Sequence, residues 1–91
     1  MMDLAHLPGG DLVAKGLQDL VASNETVEAL LVSIAAPRLR ERGLPVATPL
    51  PDAEHRLYER LAREGEDAAH SRYNALLRRL VSFESALECV G

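Results

Sequence analysis

Apolar positions recur along this chain at helical rather than strand spacing. Val13, Leu17, Leu20 and Val21 repeat every three to four residues, with Lys15, Gln18 and Asp19 on other faces, and predict a first helix over about 11–23. Ahead of it, Leu7-Pro8-Gly9-Gly10 reads as a turn and Asp11 as the N-cap. Gly16 either weakens the helix or lets a neighbour come close. Ser23-Asn24 is expected to end this helix and cap a second over 25–42, with Glu25 and Glu28 at the positive end of its dipole. From Val27 to Ala36 only Glu28 and Ser33 are polar. A helix apolar nearly all round is buried on more than one side, so it belongs at the centre of the molecule or in a subunit interface. Pro37 cannot donate to the Ser33 carbonyl and disfavours helical geometry at Ala36, which predicts a kink or a restart there. Gly43 suits the left-handed residue after the helix end, with Leu44 packing back on Leu39 and Arg38, Arg40 and Arg42 near the negative dipole end.

A connector over 43–51 follows, semi-extended because it carries Pro45, Pro49 and Pro51. It is long enough to span a short helix, so its length does not set the relative direction of the second and third helices. Leu44, Val46 and Leu50 within it are expected on the core. A third helix over about 52–64 buries Leu57, Tyr58, Leu61 and Ala62. In a fourth, over about 67–89, Ala69, Tyr73, Leu76, Leu80, Phe83, Leu87 and Val90 step by four and three alternately, which is a heptad seam. Running that register backward places Glu66, Glu59 and His55 on the seam, so the frame breaks at Gly65 and a turn is expected there. Leu77 and Val81 widen the stripe, giving this helix a second surface to face. The pattern as a whole predicts an all-α fold over 1–91: one small, four-helix bundle-like domain, its second helix kinked at Pro37, with a proline-rich crossover to the third.

Composition agrees with this and narrows the function. Hydrophobic residues make up 47% of the 91 and charged residues 26%, which suits a folded chain and not a disordered one. Four basic and six acidic residues precede Ala47, and six and eight follow it, so each half carries −2 of the net −4. Neither half offers a basic tail for nucleic acid or an anionic membrane. Cys89 is the lone cysteine, so no internal disulfide forms and a reducing, cytoplasmic setting is expected. The start, Met-Met-Asp-Leu-Ala-His, has no basic stretch followed by an apolar run, so no signal peptide is expected. The apolar stretch Ala29–Ala36 is far short of the ~20 residues that span a bilayer, so no membrane partner is expected. Three aromatics and no Trp leave few stacking surfaces for bases, flavins or sugars, and no cofactor is expected.

Each candidate for chemistry competes with a plainer role. His55 with Glu59, and His70 with Glu66 or Asp67, have spacings that place both groups on one helix face, as in metal-binding bundles, but solvated surface pairs share those spacings. Arg56, Arg60 and Arg63 form a stripe that could track phosphates, yet Glu59 stands four residues before Arg63 as a favourable pair, and Glu64, Glu66 and Asp67 interleave. The third and fourth helices also resemble a helix-turn-helix, with Ser71, Arg72, Asn74 and Arg78 as the polar reading residues. Cys89 has no neighbouring base, and Gly9-Gly10 lacks the length and lysine of a phosphate loop, so no catalytic site is expected.

What remains is apolar surface. For so short a chain the helices carry more of it than one small core is expected to hide, which points to a protein–protein interaction domain: a homodimer or a docking module for another protein. The expected contacts are Tyr73, Leu76, Leu80, Phe83 and Leu87 on the fourth helix and Val27, Leu31 and Val32 on the second.

Overall fold

The computed structural model describes residues 6–90. Four helices make up the fold: α1 (Gly10–Val21), α2 (Val27–Glu41), α3 (Ala53–Glu64) and α4 (Glu66–Val90), with no strand among the described residues. The heptad position Val90 closes α4, and its side chain lies outside the described residues.

The apolar girth of α2 decides the arrangement. Ala29, Leu30, Leu31, Val32, Ala35, Ala36 and Leu39 are all buried, and α1, α3 and α4 each pack against this helix. α1 comes closest at Gly16. A Cβ there would fall inside van der Waals contact of the Glu28 carbonyl oxygen and Val32 Cγ2, and 2.9 Å from the Glu28 carbonyl carbon. The second of the two roles expected of Gly16, close approach, is the one the fold uses.

The helix ends differ from their expected positions for local reasons. α1 starts at Gly10, with Gly9 as its N-cap in left-handed geometry (φ 73°), and Asp11 makes no capping bond. A Cβ at Gly9 would stand 2.7 Å from the Arg79 carbonyl oxygen, so the start of α1 lies directly on α4. At the other end, Ser23 takes the left-handed conformation (φ 61°). The Ser23 and Asn24 amides donate back to the carbonyls of Leu20 (3.1 Å) and Asp19 (2.8 Å) and close α1. That leaves the cap of α2 to Thr26, whose Oγ1 accepts from the Ala29 amide at 3.0 Å. The same hydroxyl donates to Asp19 Oδ2 at 2.7 Å, and Lys15 Nζ reaches that oxygen from one turn earlier, also at 2.7 Å. The Lys15 bond first, and the Thr26 bond second, hold the Asp19 carboxyl below its ordinary pKa.

α2 runs on through Pro37 without restarting, with Pro37 exposed on its outer side. Its end follows the expected pattern: Gly43 is left-handed (φ 88°), Leu44 donates to the Leu39 carbonyl at 3.0 Å, and both leucines join the core. The connector then doubles back along α2. Arg40 donates to the carbonyls of Val46 and Ala47 (3.1 Å each), and farther back the Leu50 amide donates to Ser33 Oγ at 2.9 Å. Ser33, the buried polar side chain of α2, in turn donates to the Ala29 carbonyl at 2.8 Å. α3 therefore sets out beside the middle of α2 and runs toward its start, where Arg56 and Arg60 reach Glu25. Gly65 alone separates α3 from α4, and Leu57, Leu61 and Ala69 fill the hairpin between them.

Three outcomes test this account. Ala in place of Gly usually stabilises a helix interior by about 1 kcal/mol, but Gly16→Ala presses a methyl against a backbone carbonyl. It is expected to lower the melting temperature, by several degrees for each kcal/mol lost in a domain of this size. Ser33→Ala leaves the Leu50 amide without its acceptor and is expected to cost about 1–2 kcal/mol, with faster proteolysis over residues 44–51. Because the Asp19 pKa is depressed on folding, its contribution is complete above the ordinary carboxylate pKa of about 3.9 and is lost as pH falls below that through the folded value. Asp19→Asn is expected to flatten the decline of urea midpoints as pH falls below about 4.

Candidate protein interaction face

Eight residues were expected at an interface, and the structure separates them into three groups. Leu31, Val32, Leu80, Phe83 and Leu87 lie in the chain's own core, 0–2% exposed, and present no outward face. The expectation of surplus apolar surface fails for these five. α2 is wrapped by three helices, and the α4 seam faces inward along most of its length. Val27 and Leu76 are half-buried and share a groove with Leu12 and Ala75, rimmed by Glu28, Glu64, Arg72 and Arg79. Tyr73 is half-buried on the flank of α4 that faces α3.

There Tyr73 meets Tyr58 of α3 edge to face, with ring centroids 5.6 Å apart and planes at 63°. The sequence pattern places Tyr58 in the buried stripe of its helix, but it is 39% exposed. Burial first, and then the Glu54 carboxylate, raise the Tyr73 hydroxyl pKa above its ordinary value. One and two turns farther along α4 come Leu77, half-buried, and Val81, 55% exposed. Residues four apart on a helix are neighbours, so Tyr58, Tyr73, Leu77 and Val81 make one continuous apolar strip along the outside of the α3–α4 hairpin. Val21, at the end of α1, is more exposed still at 73% but stands apart from this strip.

The polar candidates are spread out and mostly engaged with each other. His55 Nε2 lies 2.7 Å from Glu59, so Glu59 pairs backward with His55 rather than forward with Arg63. His70 Nε2 lies 3.2 Å from Asn74 Nδ2. The described residues contain no group of three His, Cys, Asp or Glu side chains placed to hold a metal ion, so His55 and His70 are not joined into a metal site. Of the helix-turn-helix residues, Arg72 is bound to Glu64 at 2.8 Å and Asn74 to His70, while Ser71 and Arg78 are exposed. The single-residue turn at Gly65 folds α4 back against α3 as a hairpin, unlike the three- to four-residue turn of a DNA reader. Along the arginine stripe, Arg56 and Arg60 are held by Glu25, which reaches them from the loop before α2. Cys89 is a free, exposed thiol. Among the described residues no helix is long and apolar enough to cross a membrane.

No family model, curated protein or solved structure matches the chain.

Proposed function

We propose that this chain is a small helical protein–protein interaction domain that associates with itself. The observation that carries the reading is the strip Tyr58–Tyr73–Leu77–Val81. Single exposed apolar side chains are ordinary on any protein surface, whereas contiguous ones mark contact surfaces. Removing such a strip from water stabilises a complex by roughly 25 cal/mol for each Å² of apolar area covered. Its members need little rearrangement to bind, since Tyr73 and Leu77 are already half ordered by the core and Tyr58 is braced on Tyr73. The groove formed by Leu12, Val27 and Leu76 is a secondary contact with a charged rim. A reducing compartment such as the cytoplasm suits the exposed thiol of Cys89.

Light scattering or sedimentation across a dilution series tests this reading. Over roughly 1 to 200 μM, a range that brackets a weak dimer, the weight-average mass is expected to climb from one chain toward two. A monomer mass throughout the series would overturn it.

A further inference from the structure

Beside its core seam α4 carries a second, partly exposed one, displaced from it by one residue. His70, Asn74, Leu77, Val81, Glu84 and Glu88 step by four and three alternately, the spacing that lets one helix lie along another. Its middle is apolar, through Leu77 and the exposed Val81. Its two ends differ in character. His70 and Asn74 bring an imidazole and a carboxamide to the end nearer the Gly65 turn, with Asn74 Nδ2 donating to His70 Nε2 at 3.2 Å. Glu84 and Glu88 bring carboxylates to the other end, each held through Oε1 by an arginine near the end of α2: Arg38 in its last turn at 3.0 Å and Arg42, its C-cap, at 3.4 Å.

This order is complementary to itself when reversed. We infer that the seam docks on the same seam of a second copy of the chain, with the two α4 helices antiparallel and crossing between Leu77 and Val81. The inference rests on the self-association proposed above and specifies its geometry. A two-fold axis through the crossing point sets Leu77 of each copy against Val81 of the other, a larger apolar side chain against a smaller one. The same axis brings Asn74 opposite Glu84 and His70 opposite Glu88, so the second N–H of Asn74 and the Nδ1–H of His70 meet carboxylates at both ends. A parallel pairing would set carboxylate against carboxylate at one end. Tyr58 and Tyr73 flank the seam on its α3 side and extend the apolar contact. With two seam residues as its apolar centre, the contact belongs to the small class that buries less than about 1,200 Å² and dissociates readily.

Cys89 is a natural reporter of this geometry, since it is exposed and lies about ten residues beyond the crossing point. At ~1.5 Å per residue, antiparallel pairing separates the two Cys89 backbones by ~30 Å along the helix axes. Parallel pairing would place them about one interaxial distance apart, roughly 10 Å. With a nitroxide on Cys89 and the chain at order 100 μM, where a dimer with Kd near 10 μM is mostly formed, pulsed dipolar spectroscopy is expected to give a distance near or beyond ~30 Å. Val81→Asp and Val81→Lys are expected to abolish that signal while leaving the helical circular dichroism unchanged, because Val81 is exposed in the single chain. A short distance overturns the antiparallel arrangement. A dimer that survives both substitutions overturns the choice of face but leaves self-association standing, whereas a monomer mass with no dipolar signal overturns both.

Discussion

The structure depends on the need to enclose α2. A helix with apolar side chains around nearly its whole circumference cannot rest on a surface, because any face left open would expose a row of Leu, Val and Ala to water. Three neighbours must therefore reach it. α1 does so by giving up a side chain at Gly16, which brings its backbone against the Glu28 carbonyl. The connector helps by lying back along α2 and delivering α3 to the remaining side. The long α4 then closes the hairpin and presents Leu80, Phe83 and Leu87 to the same core.

Polar groups set the positions of these elements. Thr26 caps α2 and bonds Asp19 of α1, so one hydroxyl ties the start of one helix to the end of the other. Ser33 plays a comparable part inside the core, where its oxygen receives the Leu50 amide and gives a proline-rich segment a fixed path. No buried side-chain nitrogen or oxygen among the described residues is left without a partner. That economy is what a thin core needs, since a single unpaired buried group costs about 1–3 kcal/mol of a stability that totals only about 5–15 kcal/mol.

Once α2 is enclosed, little apolar surface is left over, and where it lies carries the functional reading. The α4 core seam is consumed internally, and the outward remainder is the strip beside it. Its exposure follows from helix geometry. With 3.6 residues per turn, a helix of 25 residues that packs one seam inward must turn the adjacent seam toward solvent unless another helix covers it. α3 covers the first part, through Tyr58, and leaves Val81 open. Arginines are abundant on the same hairpin, but Arg56, Arg60 and Arg72 are spent on Glu25 and Glu64 and do not gather into a basic patch.

The helical class, the four elements, the break at Gly65, the left-handed Gly43 with its Leu44 contact and the burial of α2 were all legible in the sequence. Each follows from local spacing or from a conformational preference that acts over a few residues. Tertiary structure alone decided that Thr26 rather than Ser23-Asn24 caps α2, because Ser23 is needed in left-handed geometry to close α1. It alone also decided that the connector runs backward, and that five of eight expected contact residues face inward. Periodicity shows that a helix has an apolar side. Whether that side meets the chain's own core or a partner depends on how many neighbours reach it, and that is set by contacts between residues far apart in the chain.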